Sequence, residues 1–280
     1  MPDARTRFAP APTGRLHLGH VVNAFYVWQT ARARQARVLL RIEDHDRQRS
    51  RPEFERAILE DLEWLGFVPD EPPFDAFRAG RCEGRQSDRH EIYEGALAML
   101  RSQGLTYACE CSRAEIASMA GGSGGDELRY PGTCSRKRLQ EQAGRGIRVR
   151  LEPSVERFND LRHGWQGQCP AQQCGDLLVR DRDGNWTYQF AAAVDDLVQG
   201  ITLVVRGDDL LPSTGRQIQL ARLLGRQTAA EFLHHPLIMK SPTQKLSKSD
   251  GATGVSELRA RGWSPADVVR TAIELVGSSH

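Results

Sequence analysis

Nowhere do the 280 residues approach the run of about 20 apolar residues that a membrane-spanning helix needs. The opening Met1-Pro2-Asp3-Ala4-Arg5-Thr6-Arg7 also lacks an apolar core of signal-peptide length. Both absences predict a cytoplasmic chain with no membrane partner. A charge excess is missing as well: 38 Lys and Arg stand against 36 Asp and Glu, for a formal net charge of +2 and a pI near 8.3. That balance permits a nucleic-acid partner without requiring one, so any basic face must be local, with residues 129–150 as the candidate. No internal repeat is visible, which argues against a solenoid, and no coiled-coil pattern, which makes a monomer the expectation. What is present is 39% apolar residues, enough for one large catalytic domain, alone or with a satellite.

Hydrophobic periodicity places the elements. Residues 5–9 predict a strand running into a Pro/Gly loop. Val21, Val22, Phe25, Trp28 and Ala31 then repeat at helical spacing, and Val38-Leu39-Leu40-Arg41-Ile42 is a buried strand. Together they make a βαβ unit, whose first loop lies where open parallel sheets bind ligands. Pro52 suits a first helical position, Ile58, Leu59, Leu62 and Leu65 line one face, and Gly66 closes it. A further helix is expected from about Ser87 to Gly104. Beyond it the sequence predicts a strand over 147–151, a hairpin around Asp183-Gly184, a helix or buried apolar segment over 190–197, a strand over 201–205, a helix over 213–224 and a last helix from Ser264-Pro265.

Six cysteines in a chain expected to be cytoplasmic read as metal ligands or free thiols before disulfides. Cys109-Glu110-Cys111 and Cys134 bracket the glycine-rich tract 120–125, with Tyr130 close by. Three thiolates bind Zn²⁺ tightly and an oxygen completes the tetrahedron. On chemistry alone zinc is favoured over three reduced thiols, while the phenol of Tyr130 stays open as a ligand, because it must be deprotonated or strongly polarised. Cys169 and Cys174 form a pair without further ligands and read as free thiols, and Cys82 has no assignable role.

Two short motifs carry the chemistry: His17-Leu18-Gly19-His20, just behind Phe8-Ala9-Pro10-Ala11-Pro12-Thr13-Gly14, and Lys245-Leu246-Ser247-Lys248-Ser249. Imidazoles and backbone N–H groups at a helix start can face a polyphosphate, and lysines can clamp it from the other side. Taken singly, the lysine motif reads as a solvated polar loop, and the histidine motif reads equally well as ordinary loop and helix-start polarity. Their joint occurrence, in order with Arg41-Ile42-Glu43-Asp44, Thr187-Tyr188-Gln189-Phe190-Ala191, Val194-Asp195-Asp196 and Arg206-Gly207-Asp208-Asp209-Leu210, resembles the class I aminoacyl-tRNA synthetases, in their glutamyl branch, from residue 7 to about 250.

The resemblance implies a Rossmann-like α/β parallel-sheet core, in two halves at 1–104 and 176–250. Between them lies an inserted zinc-binding, acceptor-facing subdomain at 105–175, and a short helical segment at 251–280 follows. It implies that His17, Gly19, His20 and Lys248 bind ATP, which enters with Mg²⁺, and that Lys245 and Lys248 hold the β and γ groups as pyrophosphate leaves. Arg7 and Arg206 become the cationic candidates for the carboxylates of L-glutamate, since a guanidinium reads a carboxylate bidentately. Phe8, Ala9, Pro10 and Ala11 form the adjoining loop, Glu43 receives the α-ammonium and Tyr188 walls the substrate. The plain structural alternative for Arg206 is a salt bridge with Asp208 or Asp209.

A short glutamyl-synthetase paralogue family with the same Cys-x-Cys, Tyr, Cys set implies one structural zinc on Cys109, Cys111, Tyr130 and Cys134. After the lysine motif the sequence continues for only 30 residues or so, too few for the helical anticodon reader of a full glutamyl enzyme. The chain therefore resembles the glutamyl-queuosine tRNA(Asp) synthetases, which transfer glutamate to a modified anticodon-loop base. Two alternatives stand beside this reading: a truncated glutamyl enzyme charging a tRNA 3′ end, and a non-catalytic, zinc-stabilised RNA-binding paralogue.

Overall fold

The computed structural model describes residues 4–119, 128–241, 244–245 and 254–277. Strand β1 (Arg5–Phe8), helix α1 (Leu18–Arg34) and strand β2 (Arg37–Leu40) form the expected βαβ unit. The two strands pair in parallel, Arg5 opposite Arg37 and Phe8 opposite Leu40. Helix α2 (Pro52–Leu65) starts on its proline and ends at Gly66, whose φ of 79° is a left-handed value that a side chain rarely adopts. A short helix, α3 (Phe74–Arg78), precedes α4 (His90–Ser102). The helix expected from Ser87 begins three residues later. Residues 86–89 form a tighter helical turn whose Gln86 and Arg89 side chains are both tied to Asp195.

The middle of the chain serves two sheets. Strand β3 (Thr106–Cys109) leads to helix α5 (Arg113–Met119), and strand β4 (Gly146–Val149) pairs with β3. Then come the antiparallel pair β5 (Glu156–Asp160) and β6 (Gly164–Gln168), helix α6 (Pro170–Gln173) and strand β7 (Leu177–Arg180), which joins β4. The segment 105–175, drawn from sequence as an insertion, thus gives β3 and β4 to one sheet and β5 and β6 to the other. The hairpin expected around Asp183-Gly184 has a return arm of one bridge, Arg180 to Trp186. Asp181 accepts the N–H groups of Asp183 and Asn185 to close the turn, and the chain then enters helix α7 (Tyr188–Val198).

Strand β8 (Leu203–Gly207), a helical turn at 208–213, helix α8 (Thr214–Leu223) and strand β9 (Glu231–His235) complete a sheet ordered β6-β5-β9-β8. β8 and β9 are parallel, with Arg206 opposite His234. β8 abuts β1, where Thr202 N–H donates to Arg5 O at 2.9 Å, so the two parallel pairs lie edge to edge. Strands β10 (Met239–Ser241) and β11 (Gln244–Lys245) and helices α9 (Val255–Ala260) and α10 (Pro265–Gly277) follow. Val268, Ala272 and Val276 of α10 are buried in the same core as Val21 and Val27 of α1 and Leu40 of β2. Helix α10 is therefore packed into the core of the first βαβ unit.

No helix among the described residues is long and apolar enough to cross a membrane. All six cysteines are free of disulfides; Cys82 is buried in the core of the first βαβ unit.

Candidate active site

The site grows from the carboxyl ends of β1 and β2. Arg41 N–H donates to Phe8 O at 2.9 Å and Glu43 N–H to Pro10 O at 3.0 Å, so the Phe8-Ala9-Pro10-Ala11 segment is laced to the strand extension carrying both charges. Helix α1 then starts at the histidine motif. His17 is its N-cap, with an extended backbone. His17 Nδ1 accepts the N–H of Gly19 at 3.1 Å, and His20 Nδ1 accepts the N–H of His17 at 3.1 Å. Because Nδ1 accepts in both rings, the ring proton sits on Nε2, which makes each imidazole a donor suited to an anion. The positive end of the α1 dipole acts in the same direction. A Cβ on Gly19 would lie 2.9 Å from His17 Cε1, so only glycine lets the ring occupy this place.

A cavity of about 400 Å³ opens between this helix start and the ends of β8 and β9. His17, Gly19, His20, Arg206 and residues 235–238 line it. Described residues on either side of the lysine motif meet the same region: β10 follows directly after Ile238 and pairs with β11, and Gly254 bridges His17 while Val255 N–H donates to Leu16 O at 2.9 Å. Lys245 lies on β11, opposite Met239, while Lys248 lies outside the described residues.

Between β1, the residues after β2 and helix α7 is a buried network of opposite charges. Asp196 accepts from Arg7 Nε at 3.0 Å and from Arg41 at 2.8 Å. Arg41 also reaches Glu43 at 3.3 Å, while Asp195 accepts from Arg89, Gln86 and Tyr93. Burial opposes the charge of Arg41, but Asp196, Asp195 and Glu43 outweigh it and hold its pKa above the usual value. Burial likewise opposes the Asp196 carboxylate, yet Arg7 and Arg41 pull its pKa down to about 2. Glu43 goes the other way: desolvation raises its pKa despite Arg41. Tyr188, at the start of α7, is also raised, first by desolvation and then by Glu43, so its phenol stays neutral beside Arg206.

Arg206 is 3% exposed. Asp208, one of the two carboxylates expected as its plain structural partners, pairs instead with Arg162 and, at 2.7 Å, with His163 Nε2. Desolvation lowers the pKa of Arg206, so its charge is held at a cost inside the cavity wall. Such a charge is suited to an anionic ligand.

A family model for the catalytic domain of class I tRNA synthetases of the E and Q type matches residues 3–280. The glutamyl-Q tRNA(Asp) synthetase of Symbiobacterium thermophilum is 42% identical over 275 residues, covering 94% of this chain and 83% of that protein. The chain belongs to the glutamyl-Q tRNA(Asp) synthetase family. The Rhodobacter capsulatus member of the family is 38% identical over 284 residues, covering 95% of this chain and 98% of the relative. Among solved structures, a glutamate tRNA ligase from Elizabethkingia meningosepticum in complex with its amino acid superposes with a TM-score of 0.74 at 32% identity. It covers 89% of this chain, which spans about half (52%) of that ligase. The class I catalytic fold, an α/β unit with a parallel sheet, is thereby established for this member of the glutamyl-Q family.

The cysteine cluster forms a separate small core with Tyr107, Ile116 and Tyr130. The sulfurs of Cys109, Cys111 and Cys134 all lie within 4.8 Å of one another. Cys111 and Cys134 are 3.5 Å apart, and Tyr130 Oη is 3.5 Å from Cys109 Sγ while accepting Cys134 N–H at 2.8 Å. A tetrahedral ion with Zn–S bonds of ~2.3 Å brings sulfurs to ~3.8 Å, so the donor set fits. Burial, the bond to Cys134 and the charge of its neighbours push the Cys111 thiol up to about 12, a penalty that a cation relieves. Arg148 stacks 3.6 Å from the Tyr130 ring centroid and donates from Nε to Cys109 Sγ at 3.3 Å, which places a guanidinium against two of the four candidate donors. Cys174 is buried, with Pro170 O and Gly175 O as acceptors for its thiol, and Cys169 stands at the start of α6; neither belongs to the cluster.

Sequence reasoning did not assign roles to Arg41, Asp195, Asp196, Asp160, Gln217, His234 or Arg148. A signal existed for the first: an arginine inside Val38-Leu39-Leu40-Arg41-Ile42 is a charge in a buried run, which demands a carboxylate partner. No such signal marks Asp160 or His234, whose partners are distant in sequence.

Proposed function

We propose that the protein activates L-glutamate with ATP and transfers it to the queuosine base of tRNA(Asp). The observation that carries this reading is Arg206: a buried guanidinium facing neutral groups, in the same cavity as the two imidazoles of the histidine motif. A substrate carboxylate oxygen attacks the α-phosphorus and pyrophosphate leaves; the acceptor hydroxyl then attacks the acyl carbon and AMP leaves. His17 and His20 donate from Nε2 to phosphate oxygens at the positive end of α1, and Lys245 and Lys248 hold the departing pyrophosphate with Mg²⁺. Arg206 reads a glutamate carboxylate. Arg7, its Nε already committed to Asp196, completes the cationic side, and Glu43 receives the α-ammonium. Tyr188 and the Phe8-Ala9-Pro10-Ala11 loop wall the substrate. Residues 1–104 and 176–250 supply this machinery, and the cysteine segment approaches the acceptor.

The test is a labelling experiment with ATP, labelled glutamate and tRNA with or without queuosine. Label is expected only on queuosine-containing aspartate tRNA, and it should survive removal of the terminal adenosine. Label lost with that adenosine favours charging of the tRNA end, and the proposal then fails.

We further infer one structural zinc on Cys109, Cys111, Cys134 and Tyr130. When bound, the ion fills its four positions with protein ligands and clips residues 109–134 together. Because this cluster has its own core, removing zinc with a chelator is expected to abolish transfer to tRNA. Glutamate-dependent ATP–pyrophosphate exchange should stay within about twofold. Elemental analysis giving no zinc in purified protein sinks the assignment.

A further inference from the structure

Arg206 stands apart from the other buried guanidiniums of the site. Arg7 and Arg41 meet Asp196 at 3.0 and 2.8 Å, and Arg89 meets Asp195 at 2.7 Å. Arg206 donates instead to neutral acceptors: His234 Nε2 at 3.0 Å, Gln217 Oε1 at 2.6 Å and Thr214 Oγ1 at 2.7 Å. A bond from Arg206 Nε–H to His234 Nε2 needs a lone pair on that ring nitrogen. The ring proton must then sit on Nδ1, where Asp160 Oδ2 lies 2.7 Å away. His234 is 0% and Asp160 1% exposed. Asp160 is itself fixed, since it accepts the backbone N–H groups of Arg162, His163 and His234. Three strands supply the line: Asp160 ends β5, His234 sits on β9, and Arg206 lies opposite His234 on β8.

Two alternatives at position 234 carry a penalty. A carboxylate there would quench the guanidinium, and an imidazole protonated on Nε2 would turn a donor toward a donor. Burial, reinforced by the charge of Arg206, lowers the pKa of His234 to about 4, so the ring is neutral at physiological pH. We propose that Asp160 and His234 are positioning residues: Asp160 fixes the Nδ1–H tautomer of His234, whose Nε2 lone pair aims Arg206 without neutralising it. The guanidinium charge is thereby kept for the substrate carboxylate, which favours glutamate over its neutral amide analogue. This inference rests on the reading of Arg206 as the residue that binds glutamate.

The test compares His234→Leu with His234→Gln in glutamate-dependent ATP–pyrophosphate exchange by the full chain. Absence of exchange in the wild type would overturn the functional reading itself, before any variant is compared. Given wild-type exchange, His234→Leu is expected to raise KM for glutamate about tenfold or more, with KM for ATP within about twofold. His234→Gln, whose side-chain oxygen can replace the Nε2 acceptor, should stay within about threefold. A Leu variant with unchanged KM for glutamate, or a Gln variant as impaired as the Leu variant, overturns the proposal. Should the Leu variant fail to fold, ¹⁵N NMR of histidine-labelled wild-type protein decides without substrate. The resonance missing from His234→Gln must belong to a neutral Nδ1–H tautomer at neutral pH, and an Nε2–H tautomer or a cationic ring overturns the proposal.

Discussion

Replacing Arg206 with Met is expected to lower kcat/KM for glutamate in ATP–pyrophosphate exchange by roughly 10³-fold, while leaving the melting temperature unchanged or higher. The two halves of this expectation share one cause. Arg206 is buried, desolvation lowers its pKa, and the partners it donates to are neutral, so its charge destabilises the folded protein until an anion arrives. Methionine has a similar length and no charge to desolvate, and removing that penalty offsets the loss of the donor to Gln217 and Thr214. On the proposed role of Arg206, the same substitution would leave a substrate carboxylate without its counterion, and removing one partner of a buried charged pair costs about 2–5 kcal/mol of binding. Exchange kinetics and a thermal melt on one preparation check both halves. Activity within about tenfold of wild type would mean that another cation reads the carboxylate.

Asp196→Asn should produce the opposite pattern: a loss of roughly 3–5 kcal/mol of stability, read as a lower midpoint in urea denaturation. The Asp196 carboxylate is shared by Arg7 Nε at 3.0 Å and Arg41 at 2.8 Å, with the Arg41 side chain wholly buried. Asparagine is nearly isosteric but leaves two guanidiniums facing an uncharged amide in the interior, and water cannot reach Arg41 to compensate. The pH dependence follows from the shift of Asp196 from 3.8 to about 2. A depressed carboxylate stabilises the fold fully above its unfolded value and loses that contribution as pH falls through the folded value. The wild type should therefore lose stability between about pH 4 and pH 2 more steeply than the Asn variant. A change in urea midpoint equivalent to less than about 1 kcal/mol would show that the network positions side chains without stabilising the fold. Because Arg7 and Arg41 hold the site loop, glutamate activation should fall with stability in this variant, whereas Arg206→Met separates the two.

Residues adjacent in sequence, or bound to a local period, are legible in the sequence alone. The first βαβ unit follows from apolar runs and a proline-glycine loop. Helix α2 follows from Pro52 and Gly66, because both residues act through their own backbone torsions. The histidine motif is equally local: His17, Gly19 and His20 bond to one another within four residues. The hairpin β5–β6 and strand β9 escape such a reading because Glu156, Asp160, His234 and His235 are buried polar residues inside strands, which breaks the apolar alternation on which strand recognition rests. Their burial is tolerated through partners such as Arg222 and Arg206, supplied by other elements.

The sequence by itself determined the class of chemistry, because order and spacing of short motifs place helix starts, imidazoles and lysines along the chain. It also named Arg7, Glu43, Tyr188 and Arg206 as a group through resemblance. Only the tertiary structure decided which of these charges is compensated. Arg7 and Arg206 look alike as letters; Asp196, 189 positions from Arg7, neutralises one, while His234, 28 positions from the other, leaves its charge intact. Charge compensation depends on distance and desolvation across packed strands, and neither quantity is encoded in the neighbouring residues of a linear chain.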